Sequence, residues 1–329
     1  MVRFSKIFLA LTIALLLCWQ LPWCYTFFFA KAVKMPFTLY SSVLGDFVSM
    51  GQYTRNQTDS LLPFFYVRQL TADERFPDSV AGVPVTPREV QQTNFTFRST
   101  PSAINVNSVP LYPLLESRSG RVDLEMSDDV FRITSRGLTF ITMHTNQVDT
   151  AKSRLFTEAM KVAGFAFPAR TLNGNPTTRK EYDEGYLMLD RDGKLFHLKM
   201  VKGQPYIRAI ALPGEVEPKH LFVTEYRSRK TLGFFTDNHN RLYVVDSGTY
   251  HIRRTGVTAY NPETDEITIC GNLIDWTVRV RSDRTDAYYA LRADNYTLIR
   301  SIENPSLTSP MSGLHFTSRK DNDVKARWF

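Results

Sequence analysis

The chain has 329 residues, 43% of them hydrophobic and 13% aromatic, with a formal net charge of +7. Such a composition excludes a disordered stalk. The Lys and Arg residues are scattered rather than blocked, which excludes the cationic stripe of a nucleic-acid binder. Only Cys270 lies outside the first 30 residues, which excludes a disulfide within the rest of the chain.

Ile7 to Phe29 form a run of 23 residues without a charge. At a rise of about 1.5 Å per residue it makes a helix about 34 Å long, enough for a hydrocarbon core of about 30 Å. A cleaved signal has a shorter apolar core and a small-x-small site. Here the far end is bulky, with Trp19, Trp23, Tyr25, Phe27, Phe28 and Phe29. Leu15-Leu16-Leu17-Cys18 resembles a lipoprotein box, but Leu17 is not the small residue such a box needs. An uncleaved anchor is therefore expected, with cleavage or lipidation the alternative. Trp19, Trp23 and Tyr25 suit an interfacial aromatic belt, and Pro22 suits a kink. Arg3, Lys6 and the amino terminus stand against Lys31 and Lys34 across the span. The positive-inside rule thus leans slightly towards an inside N-terminus, with the bulk of the chain outside the cytoplasm.

The chain divides into an anchor (1–34), a helical and loop-rich juxtamembrane segment packing on the main domain (35–120) and a β-rich repeat domain (121–329). In the second part, Tyr40, Val43, Leu44, Phe47 and Val48 share one helical face and Gly51 can close the helix. That predicts an amphipathic juxtamembrane helix. Residues 59–74 give a second helical candidate, with Pro63 tolerable only in a first turn. Thr86-Pro87-Arg88-Glu89 is a capping box with proline at the first helical position, predicting a short helix to about Gln92. Residues 93–98 alternate and predict a strand. Residues 99–120 are expected to be loop.

Two strands are predicted within 121–140, around Ser135-Arg136-Gly137. A helix is predicted over 150–163, with Leu155, Phe156, Ala159, Met160 and Ala163 as its buried stripe and Gly164 as its stop. Residues 168–185 read as loop. Further on, the segments beginning Leu189-Asp190, Thr236-Asp237 and Ser282-Asp283 align with one another, each a strand, an Asp-led turn and a strand. Residues 133–141 look like a degenerate earlier copy. A period in the forties is that of a propeller blade. The expected fold is therefore mainly β with a few helices (α+β): one N-terminal transmembrane helix, then a β-rich, propeller-like extracytoplasmic domain, with a β-sandwich as the alternative. Within the third copy, Trp276, Val278 and Val280 point inward and Thr277, Arg279 and Arg281 outward. After Asn304 the periodicity is lost. Leu314 and Phe316 are candidates for a closing strand, and Trp328 and Phe329 for a tucked end.

Motifs that carry chemistry are missing. There is no Cys-x-x-Cys, His-Glu-x-x-His, P-loop, Gly-x-Ser-x-Gly or Gly-x-Gly-x-x-Gly. The six histidines (144, 197, 220, 239, 251, 315) are dispersed. Asp190-x-Asp192-Gly193 is half a calcium loop without its distal carboxylate, and reads as a hairpin turn. No catalytic, cofactor-binding or metal-binding residue is therefore assigned. Asn56, Asn94 and Asn295 lie in glycosylation sequons. The loop with Asn173, Asn175, Thr177, Arg179 and Lys180 offers backbone donors and two cations, enough to touch an anion or a partner, or to be an ordinary exposed loop.

PFTLYSSVLGDF, PFFYVRQL, DERFPDSVAGVPVTP, RVDLEMSDDVFRIT, NQVDTAKSRLFTEAMKVAGFAFPAR, NGNPTTRKEYDEGY and GKLFHLKMV together resemble a bacterial membrane-protein family known only as a domain of unknown function. The resemblance spans nearly the whole chain. It implies a Gram-negative host, a single N-terminal span and genes beside ABC-transporter components, and it supplies no catalytic residues. Three functions follow as expectations. The first is a non-enzymatic accessory protein, anchored in the bacterial inner membrane with its β-rich bulk in the periplasm, that contacts ABC-transporter subunits or cargo. The second is a ligand-binding or sensory propeller using its central channel or the 173–180 loop. The third is a hydrolase whose site assembles only in space. Oligomeric state is left open.

Overall fold

The computed structural model describes residues 2–29, 36–106, 109–118, 120, 122–306, 313–317 and 324–328. Helix α1 (Val2–Phe29) contains the apolar run, and its Arg3–Tyr25 stretch is long and apolar enough to cross a bilayer. Its leucines and aromatics are exposed, as a lipid-facing helix requires.

The segment after the anchor departs from the predicted amphipathic helix. It forms a hairpin of β1 (Thr38–Ser41) and β2 (Asp46–Ser49). The spacing of Tyr40, Val43, Leu44, Phe47 and Val48 fits a helix, but Gly45 takes φ +72° and closes a turn in which Gly45 N donates to Ser41 O and Leu44 N to Ser41 Oγ. Val43 and Leu44 are then left exposed at the tip. The helix expected over 59–74 is two helices, α2 (Arg55–Leu61) and α3 (Val67–Ala72), parted at Pro63. Proline has no N–H for a helix interior, so the chain breaks there. Arg75 pins the break with two bonds to buried Asp59 (2.8 and 3.3 Å). A short ribbon, β3 (Ser79–Val80) and β4 (Val83–Pro84), leads to α4 (Pro87–Thr93), whose capping box forms as expected.

The rest is four antiparallel meanders in series. Strand β5 (Phe95–Ser99) and helix α5 (Pro101–Ile104) come first. Sheet one holds β6 (Tyr112–Pro113), β7 (Asp129–Ile133), β8 (Leu138–Thr142) and β9 (Gln147–Asp149). Helix α6 (Thr150–Val162) follows, capped by Asp149, whose side chain accepts from Lys152 N, and stopped at Gly164. Its Ser153 and Thr157 hydroxyls accept from the β8 N–H groups of Phe140 and Leu138, so the helix borders the sheet edge. Phe156 and Met160 are buried as expected, but Leu155 is exposed. Sheet two holds β10 (Thr171–Gly174), β11 (Tyr186–Leu189), β12 (Leu195–Val201) and β13 (Gln204–Ile210). Its first strand lies within residues expected to be loop. Sheet three holds β14 (Pro218–Val223), β15 (Thr231–Asp237), β16 (Leu242–Asp246) and β17 (Ile252–Arg254). Sheet four holds β18 (Glu266–Gly271), β19 (Asp275–Arg281), β20 (Thr285–Arg292) and β21 (Leu298–Pro305), with β5 added on the free edge of β18. The boundary expected at 120 is thus crossed twice, since β5 and β6 belong to sheets of the repeat domain. Four-stranded meanders stacked in series are propeller-type blades, and no sheet closes on itself.

Strand alternation sends side chains to both faces, and a hydrophobic cluster fills each gap between consecutive sheets. Phe131, Phe140, Tyr186 and Phe196 lie between one and two. Leu187, Leu195, Leu221 and Phe235 lie between two and three. Phe222, Phe234, Trp276 and Val278 lie between three and four. Gly233 of β15 is required, because a Cβ would sit 2.0 Å from Phe222 O of the neighbouring strand and 3.2 Å from Leu187 Cδ1 of sheet two.

The aligned turns occupy one position in every sheet, between its second and third strands. Asp190 Oδ1 accepts from Asp192 N and Lys194 N, and Asp237 Oδ1 accepts likewise from His239 N and Arg241 N. In sheet four the accepting residue is Ser282 rather than Asp283, taking Arg284 N and Thr285 N. In sheet one it is Thr134, taking Arg136 N. Asp190 is therefore a turn residue, as expected of the half calcium loop.

The tail adds no strand to these sheets. Instead β22 (Leu314–Thr317) and β23 (Lys325–Trp328) pair with each other. The Phe316 ring meets Trp19 of α1 edge-on at 5.1 Å. Trp328 is exposed, and Phe329 lies outside the described residues.

Candidate functional site

The 173–180 loop is turned on its own chain. Asn173 Oδ1 accepts from Val223 N (2.9 Å), and Asn175 Nδ2 donates to Glu225 Oε2 (2.7 Å). Lys180 Nζ lies 2.7 Å from Asp183 Oδ2 and 2.8 Å from Glu225 Oε1. Both carboxylates are buried; desolvation raises their pKa and Lys180 opposes the rise. The ammonium is thus matched by two acids at the seam of sheets two and three, and only Thr177 and Arg179 of the five loop residues stay at the surface without such a tie. The neighbouring His197 is also held: Nε2 lies 2.5 Å from Glu184 O and Nδ1 2.9 Å from Tyr250 OH. Burial lowers its pKa to about 4, so it is a neutral core histidine.

A cavity of about 390 Å³ lies where β6, β10 and β14 converge, and Ala103, Ile104, Val106, Val109 and Leu111 line part of it. Its lining carries no Asp, Glu, Lys or Arg among the described residues, and its His220 faces Glu263 (Nε2–Oε1 3.2 Å).

The outer face of sheet four is different. Here the β1–β2 hairpin and the 53–94 segment stand where a fifth sheet would stack. Tyr40 N donates to Thr277 Oγ1 (2.9 Å), and Phe47 packs on Tyr288 and Ala290. The cover is incomplete and leaves a groove of two lobes. One lobe, of about 400 Å³, is walled by Leu39, Leu62, Phe64, Phe65, Val80 and Phe95. The other, of about 340 Å³, is lined by Arg98, Glu266, Arg279, Arg281 and Tyr288. Phe37, Leu39, Thr96, Thr268, Cys270 and Thr277 line both, so the lobes are continuous.

Register orders the floor of this groove. Thr96, Cys270, Thr277 and Ala290 are cross-strand neighbours in one row, and Arg98, Thr268, Arg279 and Tyr288 in the next. A third row holds Glu266, Arg281 and Asp286. Rows two residues apart lie about 7 Å from each other. The floor therefore grades from neutral, under the hairpin, to charged at the open end. Arg279 makes a two-pronged pair with Asp286 (both 2.7 Å), and Arg281 pairs with Glu266 (2.5 Å). Arg98 is exposed and makes no ion pair among the described residues.

Two polar features mark the apolar lobe. Asn94 donates to Phe64 O (2.7 Å), while its Oδ1 is buried with no hydrogen-bond partner among the described residues. Behind Ser42 and Asn272, the Asp275 carboxylate accepts from Ser42 Oγ and from Asn272 Nδ2, and burial pushes its pKa up to about 6. Burial also raises the Cys270 thiol, which keeps it protonated and a poor nucleophile. A largely apolar pocket with a few placed polar groups is the usual form of a small-molecule site. Sequence reasoning marked Thr277, Arg279 and Arg281 as outward-facing, but Thr96, Arg98 and Cys270 were not connected with them. Only the pairing of β5 with β18 brings those residues together.

A family model, "Domain of unknown function (DUF4857)", matches residues 37–291, and the chain belongs to that family. No curated protein matches the sequence. The PorZ surface component of the type-IX secretion system of Porphyromonas gingivalis is 11% identical, with 61% of this chain and 27% of that chain covered and a TM-score of 0.27. The Cps50 (Swd1) β-propeller domain of Myceliophteria thermophila is 7% identical, covering 63% and 93%, with a TM-score of 0.24. The N-terminal domain of Nup159 is 7% identical, covering 69% and 72%, with a TM-score of 0.28. At such scores nothing about this chain's function follows from these likenesses.

Proposed function

We propose that this member of the DUF4857 family is a non-enzymatic binding module, tethered to a membrane by α1, that holds a hydrophobic small molecule in the groove on the outer face of sheet four. The observation that carries the reading is the pairing of an apolar lobe with a short tether. Phe37 on the groove wall is eight Cα–Cα steps from Phe29, at the end of α1. They reach at most about 28 Å. A groove so close to the bilayer is placed to exchange hydrophobic molecules with it. The raised Cys270 thiol and the carboxylates held in ion pairs support binding rather than chemistry. In this reading the bulk of the chain lies outside the cytoplasm, in the sense favoured by Arg3 and Lys6.

Native mass spectrometry of the full chain, released from lipid nanodiscs, tests the proposal. A bound small molecule is expected on the wild type and not on Thr96→Trp, which fills both lobes from an exposed strand position. Equal occupancy of the two proteins, or none of either, overturns it.

A second reading is favoured by the β1–β2 tip, where Val43 and Leu44 are exposed. Such a tip suits a membrane partner, and an ABC-transporter subunit is the candidate. Recovery of a permease or ATPase with the full chain from solubilised membranes, lost in Val43→Ser/Leu44→Ser, is the expected result. Recovery of the chain alone removes this reading.

A further inference from the structure

The groove is not uniform, and its polarity gradient identifies the class of ligand. We infer that it takes a single-chain anionic amphiphile drawn from the bilayer, the chain in the lobe walled by Leu39, Phe64 and Phe95 and the acidic headgroup at Arg98. This inference rests on the binding reading above and deepens it.

Three observations carry it. First, the apolar lobe holds about 400 Å³, near the lower end of the roughly 300–1,000 Å³ of small-molecule sites. It suits one chain rather than a two-chain lipid. Second, charge is confined to one end. The open rows hold Arg98, Arg279 and Arg281 against Glu266 and Asp286, an excess of one cation. The two acids are matched by Arg279 and Arg281, so the excess belongs to Arg98. Arg281 also has a buried Nε with no hydrogen-bond partner among the described residues. A guanidinium without a carboxylate, beside a second with an unused donor, is complementary to an anion. Third, Arg98 lies one row beyond Thr96 on the same strand face, about 7 Å away. A ligand whose chain passes Thr96 and Cys270 brings its headgroup to Arg98 without a bend. The 28 Å limit on the tether places the bilayer as the source.

The test uses the full chain in nanodiscs of zwitterionic lipid, with three probes: oleate, oleyl alcohol and inorganic phosphate. Oleate is expected to displace a fluorescent fatty acid at one site per chain. Arg98→Glu should weaken oleate at least tenfold and leave oleyl alcohol unchanged, since it alters charge at an exposed position. Thr96→Trp should abolish binding of both chain-bearing probes. If oleate and oleyl alcohol bind alike in wild type and Arg98→Glu, the headgroup assignment fails while the hydrophobic groove stands. If phosphate binds at Arg98 as well as oleate does, the chain contributes nothing and the amphiphile is overturned. If neither chain-bearing probe binds, or Thr96→Trp retains them, the binding reading itself falls. Circular dichroism of each variant separates loss of binding from loss of fold.

Discussion

The two faces of sheet four are built from the same strands and end in different states. On the inner face, Ile267, Ile269, Trp276, Val278 and Val280 meet Phe222, Phe234 and Leu242 of sheet three, and the gap is filled. On the outer face, Thr268, Cys270, Thr277 and Arg279 meet a hairpin and short helices, and a groove remains. The difference lies in the partner. A second twisted sheet matches the pleat along the whole strand, whereas a two-stranded hairpin covers only part of it. Polar side chains on the outer face tolerate that partial cover, because half-buried Thr268 and Arg279 keep part of their water and buried Thr277 accepts from Tyr40 N. A propeller-type stack thus leaves a groove at the place where its repetition stops.

The largest expected effect probes the filled face. Phe234 is fully buried between sheets three and four. Phe234→Ala should cost about 3–5 kcal/mol in urea titrations of the full chain. Leu39→Ala, on a wall that already borders empty space, should cost about 2 kcal/mol, the low end for such truncations. Equal costs would mean that the groove is as tightly packed as the inter-sheet core.

Protonation separates the two regions next. His197 lies in the seam of sheets two and three, and burial lowers its pKa from 6.5 to about 4. Between those values the unfolded chain binds a proton that the folded chain refuses, so this group loses stability as pH falls through the window. Asp275 lies beneath the N-terminal layer, and burial raises its pKa from 3.8 to about 6. There the folded chain keeps a proton that the unfolded chain releases, so this group loses stability as pH rises from about 4 to about 6. Each shift is on the order of 3 kcal/mol, and the two oppose each other. Asp275→Asn should therefore add more stability at pH 7 than at pH 4, by about 2–3 kcal/mol. His197→Gln should remove the acid-side loss. Parallel pH profiles for wild type and both variants would break this account.

The turns give the smallest contrast. Asp237 accepts two backbone N–H groups, the Arg241 guanidinium and the Tyr243 hydroxyl, whereas Ser282 accepts two backbone N–H groups and shares a hydroxyl hydrogen bond with Thr285 but has no charged partner. Asp237→Ala should cost about 2 kcal/mol and Ser282→Ala about 1 kcal/mol. A larger loss at Ser282, measured by thermal unfolding, would show that the end sheet depends on its turn more than the inner sheet does.

Some of this was legible along the chain because its causes are local. The charge-free run at 7–29 fixes a helix fit for a bilayer, since only length and polarity matter there. The Asp-led turns repeat because a side chain two to four residues from its donors needs no distant partner. The capping box at Thr86 and the glycine stop at Gly164 follow for the same reason. Other features have distant causes. Residues 36–51 satisfy a helical period and a hairpin almost equally. Gly45 and the docking of Tyr40 on Thr277 decide for the hairpin, and Thr277 is 237 residues away. Leu155 completes an apolar stripe in sequence, yet only Phe156 and Met160 find a sheet to cover them. The loop at 173–180 shows two cations in sequence, and folding matches Lys180 with Asp183 and Glu225 of sheets two and three. The groove is the extreme case: Arg98, Cys270 and Arg279 meet only because β5 pairs with β18 across 170 residues. Turn and cap hydrogen bonds and side-chain periods are written within a few residues of each other. Which face is left half covered depends on how many sheets the whole chain can stack, and that is decided only when they pack.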